Sequence, residues 1–240
     1  MNITKENTVA EVVTYNIKTA DVFKKYGIDF CCGGGISIEK ACKKNNVSFE
    51  EMEKELLDIN NPTSNTYNYD GWKLEFLVNH IENVHHVYVK ESSPIILQYA
   101  AKVAKVHGHH YKEVLEINKL FTEVANELAA HLKKEENVLF PFIKQLVKAE
   151  REGVKVNQPH FGTVNNPIAM MEEEHENAGD ILKEIKKLSN NYTPPEGACN
   201  TFKALYAKLD EFEQDLHQHI HLENNILFPK AIILEQKNKE

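Results

Sequence analysis

The chain has 240 residues, 42% hydrophobic and 27% charged, enough apolar material for one large domain or two smaller ones. Its formal net charge is −8 with Lys and Arg spread along the chain, which argues against a nucleic-acid backbone as the main partner. The polar segment Met1–Thr8 has no signal-peptide apolar region, no apolar stretch is long enough for a bilayer, and cysteines at 31, 32, 42 and 199 do not make a disulfide framework; the expectation is a reducing cytoplasm and no membrane partner.

Residues 1–58 read as a small helical domain. Val9, Val12, Val13, Ala20, Val22 and Phe23 punctuate short amphipathic stretches, and Phe30-Cys31-Cys32-Gly33-Gly34-Gly35 is the turn between them and a second stretch, Ser37 to Asn45. Ser48 stands three before Glu51, a capping-box pattern for a helix running to about Asp58. Residues 59–71, rich in Asn, Ser, Thr and Pro, read as a linker.

From Trp72 to the end, residues 72–240, the pattern is helical: about 72–107 with a bend or break near Pro94, then about 111–150, 166–189 and 198–236. The joins 153–162 and 190–197 carry Gly, Asn and Pro. Four long helices with short or moderate joins predict an all-α protein whose main part is an antiparallel four-helix bundle. The second helix has a seam through Val114, Ile117, Phe121, Val124, Leu128, His131, Glu135, Val138 and Phe142. The third runs through Ile168, Met171, His175, Ala178, Leu182 and Ile185, and the fourth through Phe202, Leu205, Leu209, Phe212, Leu216, His219, Glu223 and Ile226. The first is read as Leu74, Leu77, Ile81, Val84 and Tyr88, and its periodicity does not choose among His80, His85 and His86.

Two seams carry the same frame, H-x-x-x-E-x-N-x-[LI]-F-P, from His131 to Pro141 and from His219 to Pro229. Each copy has a further histidine upstream: His86 lies 45 residues before His131 and His175 lies 44 before His219. This spacing favours His86, with His85 as its competitor. Residues four apart share a helix face, so each His-x-x-x-Glu pair points into one layer. Singly, such a pair is most often a surface salt bridge and a seam histidine a hydrogen-bonded core residue. Duplicated on the seams, His86, His131, Glu135, His175, His219 and Glu223 form a ligand set for two metal ions, and imidazole with carboxylate suits Fe, Mn, Zn or Cu. His217 and His221 fall off the seam and read as surface residues. His107, His109 and His110 flank a glycine and read as a solvated loop.

Adjacent Cys31 and Cys32 before three glycines are the second chemical feature. Glycines free backbone amides and allow positive φ, which suits a reactive thiol or an anion; the triplet lacks a nucleotide-binding frame. A pair that binds iron in transit, a redox switch and a client contact are the functional readings. A buried turn with two small packing residues is the plain one. Cys42 and Cys199 read as inert.

These residues resemble the iron–sulfur cluster repair di-iron proteins, in which a short Cys-Cys domain precedes a hemerythrin-like bundle. The resemblance covers nearly the whole chain, through Tyr26-Gly27-Ile28-Asp29-Phe30-Cys31-Cys32-Gly33-Gly34, both H-x-x-x-E segments and Met171-Glu172-Glu173-Glu174-His175. It implies a hemerythrin-like fold and a non-heme centre of two iron ions, oxo-bridged when oxidised, on the six residues already named. It also implies damaged iron–sulfur proteins as clients and a role in restoring clusters harmed by nitric oxide or peroxide. Glu127 and Glu174 fall on acidic positions near the family's centre, Glu127 having a solvated helix-face glutamate as its alternative. The reading favours an iron-donating repair protein over a turnover enzyme. Its rivals are a hemerythrin-like carrier or sensor of O₂ or NO, which would want five imidazoles rather than four, and a di-iron enzyme reducing NO. Neither the electron donor nor the oligomeric state, a homodimer included, is written in the sequence.

Overall fold

The computed structural model describes residues 3–59 and 69–239, so most of the expected linker (60–68) lies outside the described residues. The helices in order are α1 (Val9–Tyr15), α2 (Thr19–Lys25), α3 (Ile38–Asn45), α4 (Phe49–Ile59), α5 (Leu74–His80), α6 (Val87–His107), α7 (Glu113–Lys134), α8 (Phe140–Glu152), α9 (Asn165–Leu188), α10 (Asn200–Leu222) and α11 (Phe228–Lys239). Wide π-type turns join α5 to α6 (Ile81–His86), α7 to α8 (Glu135–Leu139) and α10 to α11 (Glu223–Leu227). The expected all-α class holds, and no helix of the described residues is long and apolar enough to cross a membrane.

The chain divides into two compact units. One takes Met1–Val78, Leu146–Val156 and Gln218–Glu240; the other takes Asn79–Gln145 and Asn157–His217. The second unit holds a bundle of α6, α7, α9 and the part of α10 up to His217. Neighbours run antiparallel. Between α7 and α9, Glu127 pairs with Asn177 at 2.7 Å and His131 with Glu174 at 2.8 Å. Between the first two long helical stretches, Glu82 pairs with Lys144 at 2.7 Å and Lys90 with Glu136 at 2.6 Å. The core follows the seams: Val114, Ile117, Phe121, Val124, Ile168, Met171, Leu182, Phe202, Leu205, Leu209 and Phe212 are all buried. The Phe121 and Phe212 rings meet edge to face with centroids 5.3 Å apart.

The first helical stretch corrects two expectations. It passes through Pro94 without a break. The irregularity lies earlier, in the wide turn 81–86, which inserts a residue and rotates the face that follows. Val84, read as a seam residue, is therefore 46% exposed, while His85, His86 and Val89 turn inward.

In the first unit, Thr8 caps α1. Its hydroxyl accepts from the Glu11 amide at 3.1 Å while the Glu11 carboxylate accepts from the Thr8 amide at 2.9 Å. Ser48 caps α4 through the amide of Glu51, as the sequence suggests. Val9, Val12, Val13, Val22, Phe23, Ile38, Met52 and Leu56 form the core of the N-terminal helices. Helix α1 also packs on the turn 223–227 and on a single 3₁₀ turn, Tyr69–Gly71.

His221 was read as a surface residue and is instead fully buried in this unit. Its ring meets Phe30 edge-on at 5.9 Å, and Thr14 and Asn225 lie at 3.4 and 3.1 Å from its nitrogens. Burial pushes its imidazole down to about 4. Phe30 and Thr14 of the same unit enclose His221, and helix periodicity carries no trace of such distant contacts. His217 is half-buried.

Truncating Phe121 to alanine removes a ring with no exposed surface and is expected to cost about 3–5 kcal/mol. Ile233→Ala, at a side chain 52% exposed, is expected to stay within about 0.5 kcal/mol. Denaturant midpoints of the two variants check the difference.

Candidate metal centre

The wide turns place the candidate carboxylates. In a regular helix the amide of residue 141 would bond the carbonyl of Asn137, but Pro141 has no N–H. The bond pattern slips by one, and the Phe140 amide reaches back to the carbonyl of Glu135. The second frame does the same: Pro229 follows Phe228, whose amide bonds the carbonyl of Glu223. The F-P ending of each frame therefore accounts for a π turn that opens on the candidate ligand, a feature often found at functional sites.

In the second unit, His86, His131, Glu135 and His175 are all buried, and Glu135 has no exposed surface. The Nε2 atoms of His86 and His131 each lie 3.3 Å from Oε2 of Glu135. His131 Nε2 is 3.1 Å from His175 Nε2, and ligand atoms of His131, Glu135 and His175 lie within 4.8 Å of one another. In the first unit, His219 Nε2 is 3.0 Å from Glu223 Oε1, and both side chains are buried. Helix α10 carries the chain from one unit to the other between His217 and Gln218.

The outer nitrogens explain the direction of the inner ones. His86 Nδ1 donates to Glu136 at 2.8 Å, and His131 Nδ1 donates to Glu174 at 2.8 Å. A proton held on Nδ1 leaves the lone pair on Nε2. The Nε2 atoms of His86 and His131 then face the Glu135 carboxylate, and His175 Nε2 faces His131, so donor atoms of imidazole and carboxylate converge in one buried layer that could hold a cation. Three imidazoles and a carboxylate in this unit, and one of each in the first, are a donor set of borderline hardness that fits iron.

The outer carboxylates are tuned for this task. Burial alone would raise Glu174, but hydrogen bonds from Lys134 and His131 outweigh it and hold the carboxyl below its usual range. Glu136 is held low in the same way, with Lys90 and His86 outweighing burial. Both stay ionised and keep their imidazoles oriented.

Other sequence candidates fall elsewhere. His85 donates to or accepts from Asp215 at 2.9 Å, so His86 is the histidine beside Glu135. Glu127 is exposed, and its carboxylate accepts from Asn177. Cys31 is buried and Cys32 half-buried in the N-terminal turn, with sulfurs 3.9 Å apart. Cys42 is buried; Cys199 is exposed, with its sulfur 3.2 Å from His107 Nε2. His109 and His110 are exposed as expected. Sequence reasoning missed Glu136, Lys90 and Lys134. The available signal was the second glutamate of Glu135-Glu136, since a ligating histidine commonly holds a carboxylate with its other nitrogen.

Residues 77–231 match the family model described as hemerythrin HHE cation binding domain, and residues 5–60 match one described as a domain of unknown function, DUF542. Fold, clustered ligands and match together define a hemerythrin-type cation-binding protein. The iron-sulfur cluster repair protein ScdA of Staphylococcus haemolyticus is 32% identical over 228 residues, covering 95% of this chain and 99% of its own length. A probable iron-sulfur cluster repair protein of Haemophilus influenzae is 36% identical over 213 residues (88% and 90%), and the repair protein YtfE of Yersinia pseudotuberculosis 35% over 211 (88% and 90%). The chain belongs to this iron–sulfur cluster repair family.

Glu136→Ala and Glu174→Ala each release an imidazole from its orienting partner and are expected to weaken metal binding by about 10–100-fold with the fold intact. Glu127→Ala is expected to leave affinity unchanged. Chelator competition on the three variants checks the ranking; equal loss in all three contradicts it.

Proposed function

We propose that this chain repairs iron–sulfur clusters by donating iron from a centre of two ions held by His86, His131, Glu135, His175, His219 and Glu223. The observation that carries the reading is the convergence of the His131 and His175 imidazoles with the Glu135 carboxylate, a buried donor set that suits a borderline cation. The duplicated frame supplies the matching second half from His219 and Glu223. Held by these residues, a non-heme iron pair would supply cycling between ferric and ferrous states. The clients are damaged iron–sulfur proteins, as the names of the relatives say of those proteins. Four free thiols suit a reducing cytoplasm.

The protein's own residues set how firmly iron is held. Glu135 is the shared carboxylate, facing both His86 and His131 at 3.3 Å, so its loss weakens two imidazole positions at once. Iron is cargo in this reading, and release follows oxidation state. Ferrous ions carry less charge than ferric ions and stand low in the divalent affinity order, so the same six ligands hold them less tightly.

A ferrous chelator is therefore expected to strip the reduced protein faster than the oxidised one. Iron-loaded protein should restore activity to a damaged cluster enzyme, and Glu135→Ala should remove the effect. Retention of iron in both states with reversible O₂ binding by the reduced form would replace this reading with a gas carrier.

A further inference from the structure

The loop after α2 brings together three potential metal donors that the histidine–carboxylate layers do not use. Side-chain ligand atoms of Asp29, Cys31 and Cys32 lie within 4.8 Å of one another. Cys31 Sγ is 3.2 Å from Asp29 Oδ1 and 3.9 Å from Cys32 Sγ. We propose that this loop is a second, separate metal site, a three-donor sulfur–carboxylate site for a divalent ion of the Zn²⁺ or Fe²⁺ class, with one coordination position left for an incoming ligand.

The sulfur spacing selects the ion. At a metal–sulfur bond of about 2.3 Å, sulfurs 3.9 Å apart subtend an angle of about 116° at the metal, between tetrahedral and trigonal. A linear two-coordinate ion at the same bond length would need the sulfurs about 4.6 Å apart. A carboxylate as third donor adds a hard ligand that a purely thiophilic ion would not require, which again favours a borderline ion. Structural sites of this kind are closed by four protein ligands, whereas three with an open position is the pattern of sites where something exchanges. The exposures agree: Cys31 is buried, while Cys32 and Asp29 are half-buried.

The loop is held in shape before any ion arrives. Asp29 Oδ1 accepts from the amides of Cys31 and Cys32 at 2.9 and 3.1 Å. Asn225 donates its side-chain amide to the Cys31 carbonyl at 3.1 Å, and the Gly34 carbonyl accepts from the Ala10 amide at 2.8 Å. A Cβ at residue 34 would lie 2.4 Å from the Phe30 carbonyl oxygen, so only glycine lets the chain close there. Metal ligands gain most when their supporting contacts already fix them, since little ordering is left for binding to pay.

Proton balance sets the pH behaviour. Cysteine binds a metal ion as the thiolate. An ion that binds both sulfurs displaces two protons to the buffer, leaving two thiolates, one carboxylate and a dication with a net charge of about −1. Affinity should rise with pH.

Cobalt(II) tests the site with an optical readout that the histidine–carboxylate ligands cannot give, because they contain no sulfur. This inference consequently stands or falls apart from the reading of the iron centre. Full-length, iron-loaded protein, kept anaerobic with a phosphine reductant, is titrated with Co²⁺. The expected result is a near-ultraviolet thiolate-to-cobalt charge-transfer band that saturates at one cobalt per chain. C31S and C32S should each lose it, D29N should keep it at lower affinity, and C199S should leave it intact. Circular dichroism and the denaturant midpoint show that each variant is folded; should C31S misfold, C32S, at the half-buried position, decides. No band in folded full-length protein, a band that survives C32S, or saturation at one cobalt per two chains would overturn the proposal.

Discussion

A carboxylate with no exposed surface, with the Nε2 atoms of two histidines 3.3 Å away, is the constraint on which the rest depends. Glu135 cannot stay ionised there without positive charge beside it, and Glu136 and Glu174 orient the same two imidazoles from outside. Apolar residues fill the seams above and below this layer. In the proposed reading a metal ion joins the carboxylate and the imidazoles. Lys90 and Lys134 stand behind the outer carboxylates and keep them ionised, so the pattern outward from the layer is imidazole, carboxylate, lysine.

The same frame serves two purposes in its two copies. In both, the Phe-Pro ending shifts the helix register and opens a wide turn on the glutamate. The asparagines then diverge. Asn137 donates back to the Lys133 carbonyl of its own helix at 2.6 Å, a local contact on an exposed face. Asn225 leaves its helix and holds the Cys31 carbonyl. Asn225 lies two positions after Glu223, so the turn that carries a proposed iron ligand also fixes the backbone of the cysteine loop. This is a direct physical tie between the proposed iron ligand and the two thiols, made within one compact unit.

Much of this was legible in the sequence. Seam periodicity placed His131, Glu135, His175, His219 and Glu223 among apolar positions, and all five are buried. Long-range repetition picked out His86 where periodicity failed, because the wide turn 81–86 had displaced the face on which periodicity relies; Val84 was misplaced for the same reason. Glu136 and Glu174 bond outward from the layer, so no interior pattern marks them, and Glu127, one turn before His131, was the natural but unsupported neighbour. His221 was beyond reach for another reason: its burial comes from the N-terminal helices, some 190 residues away in sequence at Phe30. Patterns within a helix do not report contacts made by segments so distant in sequence.

The central proposal is that one chain holds two iron ions on histidine and carboxylate ligands. Iron X-ray absorption on anaerobically loaded full-length protein, with iron counted per chain, tests it most directly. Two irons per chain, a nitrogen- and oxygen-only coordination shell and an iron–iron scattering path of roughly 3.5–4 Å are the expected result. One metal per chain with no metal–metal path, or sulfur in the shell of the tightly held iron, would contradict it.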